Sequence, residues 1–275
     1  LTAEEHEVLQ DLLRQFQRSP RLAAHMRFLV EHGTLYQRFN DNLLYHGCLP
    51  CRENGDFLAF TFQQQPLAGK ALMDFFQQCL QESFAQPENQ TDLATDMIWY
   101  LWCGEGSSLF GKKAMKTFER YFIADRNTHK EQKNAYYSLR ENEDFCCRVL
   151  AAFGLPPTGH IINGHTPVKV RKGETPIKAN GRLLVIDGGL SHSYQSVTGI
   201  AGYTLLSNSF GMTLAAHQPF TDRQQAIQQR RDIVTQKKIV VRQTERTTVG
   251  QTDIGKRLQQ ESRVLFEELK NHPIP

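Results

Sequence analysis

Residues 161–167 read IINGHTP, in which an apolar pair leads through a glycine to His165. Proline fixes its own φ and restricts the residue before it, so the Thr-Pro pair behind the histidine predicts a rigid turn. A second apolar run, residues 183–186, ends at Asp187 before two glycines. Both runs predict buried strands that end in polar turns.

A matching element occurs earlier, where residues 43–48 read LLYHGC and place His46 directly before a glycine. Open α/β sheets bind ligands where buried strands end and loops begin, so these endings can bring His46 and His165 to one metal ion. A lone histidine after an apolar run is more often a hydrogen-bonded structural residue. The residues alone leave both interpretations open.

Several segments, in the same order along the chain, resemble the class 3 fructose-1,6-bisphosphatases of bacteria. The combination is specific, whereas Gly-His-Thr-Pro alone would indicate only the wider calcineurin-like metallophosphoesterase superfamily. The resemblance extends over most of the chain. Its segments are residues 42–48, 117–122, 160–169, 176–181, 185–189 and 198–205.

The resemblance implies a metal-dependent phosphatase that removes the 1-phosphate of fructose 1,6-bisphosphate in gluconeogenesis, with Mn²⁺ as the usual metal of a binuclear site. By motif, His46 and His165 match two ligands of the same ion. We expect Asp187 to accept hydrogen bonds from the backbone or from the His165 ring. Asn163 is expected to help orient the histidine ligands without binding the metal itself. No catalytic residue is assigned within the chain.

Four further residues are candidate contacts to the phosphates of a sugar bisphosphate. They lie among the family-like segments, and guanidinium and ammonium groups suit phosphate oxygens. Taken singly, a residue of this kind is more often an ordinary surface side chain than a phosphate contact. These residues are Arg120, Lys169, Lys178 and Tyr194.

Three motifs of the wider superfamily, Gly-Asp-x-His, Gly-Asp-x-x-Asp-Arg-Gly and Gly-Asn-His-Asp/Glu, do not occur in this sequence. In the family they supply the bridging carboxylate, the ligands of the other metal and the histidine that protonates the leaving group. Two-metal chemistry needs ions held about 3.5–4 Å apart. We therefore expect the C-terminal portion of a longer enzyme, or a truncated relative, that is inactive without an upstream segment.

Composition narrows the functional class. The chain has 275 residues, 40% of them hydrophobic, with a net charge of +3. No apolar run approaches the roughly 18–20 residues of a membrane span, and the N-terminus does not resemble a signal peptide. The basic residues are dispersed, unlike those of a nucleic-acid-binding protein. We expect a cytoplasmic protein, and a homo-oligomer is compatible with this composition.

The pattern predicts a mixed α/β (α+β) fold with a helical lead-in over residues 1–35 and a sheet-and-helix body over 36–275, without a clean internal boundary. Residues 57–62, after an Asn-Gly turn, are expected to form a hairpin with the 43–48 strand. The resemblance implies part of a metallophosphoesterase-type β-sandwich flanked by helices. Other predicted strands are 183–187, 203–208, 213–217 and 238–243, and predicted helices are 67–84, one from about 91, 221–236 and 252–270.

Two alternatives rest on short motifs. Residues 106–112 have the glycine and lysine spacing of a P-loop, and residues 97–102 could form the preceding strand, but Lys113 stands where Mg²⁺ coordination requires Ser or Thr. Cys48 and Cys51 have redox or zinc spacing, although a strand rather than a helix N-terminus is expected before them. A nucleotide-binding module and a redox or zinc site are therefore weaker hypotheses.

A third alternative is a non-catalytic regulatory or assembly module that retains a phosphatase-like shell. It would explain the missing acidic motifs as well as truncation does. The polar residues 125–143 form a long segment that is either a functional loop or a solvated face. The sequence does not distinguish these possibilities.

Overall fold

The computed structural model describes residues 1–89, 91–219, 222–230 and 234–271. Within these ranges the helices are α1 (Ala3–Arg18), α2 (Pro20–His32), α3 (Lys70–Ala85), α4 (Leu93–Cys103), α5 (Thr117–Phe122), α6 (Tyr136–Leu139), α7 (Glu143–Ala152), α8 (His192–Thr198), α9 (Arg223–Gln229) and α10 (Asp253–Asn271). Short 3₁₀ turns occur at Arg126–His129, Val170–Lys172, Ala179–Gly181 and Val249–Gln251.

The strands form three sheets. One has the order β1-β2-β5-β7-β6, the second has the order β10-β9-β8, and the third pairs β3 with β4. The mixed α/β class expected from the sequence is confirmed, whereas the β-sandwich remains a prediction. The strands are β1 (Tyr36–Phe39), β2 (Asn42–Tyr45), β3 (Phe60–Phe62), β4 (Gln65–Leu67), β5 (His160–Asn163), β6 (Ile177–Lys178), β7 (Leu183–Val185), β8 (Gly202–Asn208), β9 (Gly211–His217) and β10 (Thr235–Arg242).

The centre of the largest sheet consists of three parallel strands, β2, β5 and β7. Leu43, Ile161 and Leu183 lie side by side in this register, and all three are fully buried. Parallel strands covered on both faces are expected to be continuously apolar, which explains why short runs of Leu, Ile and Val form them. Their carboxyl ends meet at one edge of the sheet.

Helix α7 shows how the sequence covers this sheet. The Asn142 side chain accepts a hydrogen bond from the Phe145 backbone N–H at 2.9 Å and caps the helix, and acidic residues fill the first turn. The helix buries Phe145, Val149 and Leu150 in the same hydrophobic core as the central strands. Amphipathic spacing therefore places α7 against the sheet.

The expected hairpin between residues 57–62 and the 43–48 strand is wrong. Strand β2 pairs instead with β1, and β3 pairs with β4. The turn between β1 and β2 is formed by Asn40 and Asp41, whose φ values are +47° and +62°. Two consecutive residues with positive φ are typical of the two-residue hairpin turn, for which Asn and Asp are well suited.

Helix α4 confirms the helix predicted from about residue 91, so residues 97–102 do not form the strand that the P-loop alternative would need. The N-terminus of α4 is capped by Asp92, which accepts a 2.7 Å hydrogen bond from the Thr95 backbone N–H. The predicted helix at 221–236 is too long, since α9 ends at Gln229 and β10 begins at Thr235. Residues 221 and 231–233 of that prediction lie outside the described residues.

Long amphipathic helices occur near both ends of the described chain. Helix α1 begins with a capping box in which the side chains and backbone groups of Thr2 and Glu5 bond reciprocally. Its apolar stripe is nevertheless exposed, and so is most of that on α10. Within the described ranges, no helix combines the length and apolar composition needed to cross a membrane.

Candidate metal-binding edge

His46 and His165 lie together at the carboxyl edge of the central parallel strands. Their ring centroids are 5.3 Å apart, with the ring planes nearly perpendicular at 85°. His46 follows β2 directly, and His165 lies two residues beyond β5, so the parallel register aims both side chains at the same place. The structure thus brings together the two histidines singled out in the sequence.

A side-chain amide stabilises the turn that carries His46. Asn163 Nδ2 donates to the carbonyl oxygens of Tyr45, His46 and Gly47 at 3.3, 3.1 and 2.6 Å. The Oδ1 atom of the same amide accepts a 3.2 Å hydrogen bond from Arg140 Nη1. Asn163 is 1% exposed, so these contacts hold the His46 backbone from inside the protein.

His165 is held by the conformation of its own backbone. Its φ is +65°, and the Thr166 N–H donates to the Gly164 carbonyl at 2.8 Å, which closes a three-residue turn around the histidine. A non-glycine residue at positive φ in a γ-turn is strained, and such strain often occurs at functional sites. The Gly164 N–H donates to the His46 carbonyl at 3.0 Å and joins the two turns.

The environment of His165 favours its neutral form. Loss of hydration lowers the pKa of the His165 imidazole, and the nearby His46 and Lys112 act in the same direction. The Phe110 backbone and the Asp187 carboxylate oppose this change without reversing it. A neutral imidazole presents a nitrogen lone pair, which is the form that binds a metal ion.

Asp187 lies at the same edge, two residues beyond the end of β7. Its Oδ1 atom accepts a 2.9 Å hydrogen bond from the Gly189 N–H, and its backbone carbonyl accepts one from Val168 at 2.8 Å. Among the described contacts, no hydrogen bond joins this carboxylate to the His165 ring. Its charge still acts on that ring, because it opposes the lowering of the His165 pKa.

The described residues supply an incomplete set of metal ligands. Within those ranges, no group of three or more His, Cys, Asp or Glu side chains is placed to hold an ion. Two imidazoles at one edge fit part of the nitrogen coordination of a divalent metal, and Asp187 is the carboxylate whose charge reaches that edge, so the described residues do not supply the several carboxylates typical of a two-metal site. The described residues at this edge therefore supply only part of the ligands that a metal centre needs.

A basic cleft opens beside this edge. It has a volume of about 810 Å³, and Thr166, the neighbour of His165, forms part of its wall. Lys169 and Lys178, two of the expected phosphate contacts, line it, as do Lys133 and Arg140. No sequence pattern pointed to the last two, which lie in the polar 125–143 segment and reach the site only through folding.

The other two expected phosphate contacts lie outside the cleft lining. Arg120 Nη2 forms a 3.2 Å ion pair with Glu131, a carboxylate that also pairs with Lys112 at 2.6 Å. Tyr194 is 54% exposed on helix α8 and packs beside Gly189. The structure therefore divides the four candidates into two lining residues and two peripheral ones.

The motif-based alternatives are not supported by the geometry. Burial raises the pKa of the Cys51 thiol to about 12 and that of Cys48 above its ordinary range, whereas a redox cysteine needs a stable thiolate. The P-loop-like segment follows helix α4 rather than a strand, and Lys112 is paired with Glu131. Neither site has the local structure that its chemistry requires.

A parallel-stranded edge that presents two histidines beside a cationic cleft defines an α/β protein with a candidate site for a metal and an anionic ligand. The family described as Firmicute fructose-1,6-bisphosphatase has a model that matches residues 1–272. The chain belongs to this family. Membership of a phosphatase family indicates a divalent metal.

Curated relatives carry the same family name. The chain is 56% identical over 273 residues to the class 3 fructose-1,6-bisphosphatase of Enterococcus faecalis, covering 99% of this chain and 44% of the relative. It is 52% identical over 270 residues to that of Lactococcus lactis subsp. lactis, covering 97% of this chain and 42% of the relative. It is also 52% identical over 273 residues to that of Bacillus velezensis, with 99% and 42% covered.

The chain therefore spans about two fifths of the length of the curated relatives it matches. No solved structure matches the chain. The geometry of the two histidine turns and of the basic cleft is therefore that of this chain itself, with no structural relative beside it.

Proposed function

We propose that this chain contributes to an enzyme that hydrolyses fructose 1,6-bisphosphate to fructose 6-phosphate and phosphate, with His46 and His165 binding one ion of a binuclear divalent-metal site. The observation that carries the proposal is the convergence of the two rings, whose centroids are 5.3 Å apart. The name of the relatives, class 3 fructose-1,6-bisphosphatase, supports the choice of substrate.

Mn²⁺ is the metal we propose for this site. A bound divalent ion would activate water and stabilise negative charge on the phosphoryl oxygens. In this chain, Asn163 fixes the backbone of the His46 turn, and the environment of His165 keeps its ring neutral. Asp187 would orient the His165 turn through its backbone contacts and its charge.

The remaining metal ligands are proposed to lie in parts of the longer relatives that this chain does not match. The difference in length supports this, as does the absence of a third histidine or carboxylate ligand among the described residues. On this proposal, the 275-residue chain alone hydrolyses fructose 1,6-bisphosphate poorly or not at all. The reaction would belong to gluconeogenesis in the cytoplasm, and homo-oligomers are compatible with it.

Of the four residues expected to contact substrate phosphate, we retain Lys169 and Lys178 as the stronger proposals, because both line the cleft beside His165. Arg120 is proposed to act indirectly, since it shares Glu131 with Lys112, which lies close enough to His165 to lower its pKa. For Tyr194, the proposal of a phosphate contact is supported only by its exposed position beyond the Asp187 turn.

Metal binding and turnover test this proposal separately. Mn²⁺ added to the 275-residue chain should lose the sharp paramagnetic resonance signal of the hydrated ion. His46→Ala or His165→Ala should weaken binding by more than about tenfold, since even loss of a supporting residue costs 10–100-fold. His25→Ala, on the exposed face of α2, serves as the matched control.

Phosphate release then tests the chemistry. The complete enzyme should release phosphate from fructose 1,6-bisphosphate in a Mn²⁺-dependent reaction that either histidine substitution abolishes. Turnover by the complete enzyme that persists in both histidine variants would remove them from the site. Mn²⁺ binding without any turnover in the complete enzyme would instead favour the non-catalytic alternative.

A further inference from the structure

The basic cleft contains more positive charge than its own carboxylates neutralise. Six basic side chains line it, whereas the acidic residues in its lining are Glu53, Glu105, Glu141 and Glu174. The cleft is far larger than a single phosphate ion needs, which leaves room for a sugar ring. The basic residues are Arg52, Lys113, Lys133, Arg140, Lys169 and Lys178.

Three of these cations lie close together and are only partly neutralised, since the Glu174 carboxylate of the cleft lining acts on Lys133. Lys178 pairs with Glu141, but within the described residues no ion pair is formed by Lys133, Arg140 or Lys169. Lys133 is exposed as a residue, yet partial loss of hydration at its ammonium group lowers its pKa, and the charges of Arg140 and Lys169 add to that effect. Like charges held together in this way favour an anionic ligand.

An aromatic ring positions two of the cations. Lys133 Nζ lies 5.2 Å and Arg140 Cζ lies 5.0 Å from the centroid of the Tyr137 ring. These cation–π contacts fix the direction of both side chains without consuming their hydrogen-bond donors. Both cations therefore lie against one aromatic ring of the cleft lining.

One buried polar atom of the lining lacks a protein partner. Arg140 is only 7% exposed, and its Nε has no hydrogen-bond acceptor among the described residues. A buried donor without an acceptor is costly, so a folded protein that retains one in a cleft is suited to a ligand rich in acceptor oxygens. A phosphate monoester supplies these oxygens together with negative charge.

We propose that Lys133, Arg140 and Lys169 bind the phosphate that the reaction leaves on the sugar, so that they determine specificity for a bisphosphate. This inference rests on the proposed function. The reacting phosphate would lie at the histidine edge, and Thr166 connects that edge with the cleft wall. Binding energy at a phosphate that does not react would then orient the one that does.

Binding of fructose 6-phosphate, the product that retains this phosphate, provides the first test. Calorimetric titration of the 275-residue chain without metal should detect fructose 6-phosphate but not fructose. Lys133→Gln should weaken binding about 10–100-fold, which corresponds to loss of a charge-assisted hydrogen bond. Lys133→Arg should retain most of the affinity because it keeps the charge.

The control for this variant is Lys130→Gln, in the same polar segment but outside the cleft, which should bind like the parent chain. Both substituted lysines are exposed, so neither change should alter folding, and thermal unfolding verifies this. Unchanged fructose 6-phosphate affinity in Lys133→Gln would overturn the proposal. Equal weakening by Lys130→Gln would do so as well, since it would indicate non-specific charge attraction.

Kinetics of the complete enzyme distinguish a substrate phosphate from a separate phosphorylated effector. Lys133→Gln should raise KM for fructose 1,6-bisphosphate about tenfold or more and leave the slower hydrolysis of fructose 1-phosphate, which lacks the retained phosphate, unchanged. Loss of fructose 6-phosphate binding with an unaltered KM for the bisphosphate would assign the cleft to an effector and overturn the substrate assignment.

These outcomes are separate from failure of the proposed function. If the complete enzyme released no phosphate but the 275-residue chain bound fructose 6-phosphate through Lys133, the hydrolysis assignment would be wrong while a sugar-phosphate site remained. If hydrolysis depended on His46 and His165 but were indifferent to Lys133 with both substrates, the phosphatase would stand and the cleft assignment would be wrong.

Discussion

His46 and His165 both follow a buried parallel strand and both adjoin a glycine, yet different contacts stabilise the two turns. The His46 turn depends on a side chain distant in sequence, because Asn163 donates to three consecutive carbonyl groups of residues 45–47. The His165 turn depends on its own positive φ and a local hydrogen bond. Similar sequence motifs can therefore present similar side chains through different kinds of backbone support.

This difference predicts that the His46 turn is sensitive to changes elsewhere, whereas the His165 turn is sensitive mainly to changes in its own residues. Asn163 belongs to the strand that leads to His165, so the His46 turn is held by the element that carries its neighbour. The coupling also runs through the hydrogen bond from Gly164 to the His46 carbonyl. Substitutions at each turn can separate these contributions.

The largest effect is expected from Asn163→Leu, which keeps much of the side-chain volume and removes every polar contact. Carbonyl groups of the His46 turn and the buried Arg140 guanidinium would lose a partner, and the free energy of unfolding should fall by about 3–4 kcal/mol. Urea unfolding measures this change. Asn89→Leu, at an exposed asparagine whose side chain forms no described hydrogen bond, should change stability by less than about 0.5 kcal/mol.

Metal binding tells whether Asn163 acts through His46. A variant that is still folded below its melting temperature should bind Mn²⁺ about 10–100-fold more weakly, as expected for loss of a residue that orients a ligand. Full Mn²⁺ affinity in folded Asn163→Leu would show that the His46 turn keeps its shape without this amide. The contrast between the two turns would then be lost.

The next largest effect is expected from replacing the glycine of each turn by alanine. A Cβ atom added at Gly47 would lie 2.0 Å from the Ser108 carbonyl oxygen, a backbone group that also accepts a bond from Cys48. At Gly164 the nearest atom would be His46 Nδ1 at 3.2 Å, in a side chain that can rotate. Gly47→Ala should therefore cost about 2–3 kcal/mol, and Gly164→Ala about 1 kcal/mol.

Mn²⁺ affinity should rank the two alanine variants in the opposite order. Relative to the stability each variant loses, Gly164→Ala should lose more Mn²⁺ affinity than Gly47→Ala. Gly164→Ala displaces the His46 ring directly, so Mn²⁺ affinity should fall in a protein that remains nearly as stable as the parent. Thermal unfolding and Mn²⁺ titration of both variants measure the two quantities. Equal loss of stability in both would contradict the assignment of rigid backbone contact to the His46 turn alone.

Local sequence pattern was sufficient for the strands that carry the site. The apolar runs before His46, His165 and Asp187 are β2, β5 and β7, because short buried parallel strands need only continuous apolar side chains. The partner of β2 was missed because the turn at residues 40–41 competes with an equally good Asn-Gly signal at 54–55. Turn preference alone cannot choose between two candidate hairpins.

The cleft could not be predicted because its residues come from separate segments. Lys133 and Arg140 lie in a polar stretch without periodicity, and Lys169 and Lys178 lie beyond β5. Only the tertiary fold brings these charges together, and only the structure shows that three of them have no ion-pair partner within the described residues. Its residue type and its place in a family-like segment make Arg120 a candidate phosphate contact, yet its guanidinium pairs with Glu131.

The smallest effect is on the pH dependence of stability. It follows from the burial of His165, which is less exposed than His46. Burial, together with His46 and Lys112, lowers the pKa of His165 below its ordinary value of 6.5 in the folded protein. As pH falls below that value, the unfolded chain takes up a proton before the folded one does. The stabilising contribution of neutral His165 is therefore complete above pH 6.5 and is lost as pH falls through the folded pKa.

Urea unfolding of the metal-free protein should be measured from above pH 6.5 to below the folded pKa of His165. The free energy of unfolding should decrease towards acid pH, and His165→Gln should make that decrease shallower. His160, at the start of the strand that leads to His165, provides the comparison, because burial and the nearby Arg182 also lower its pKa. His160→Gln should remove a separate part of the slope, so that the double variant is shallower than either single one. A slope that is unchanged in His165→Gln would mean that its ring titrates alike in the folded and unfolded chain, and the environment of the His165 turn would then not favour a neutral ligand.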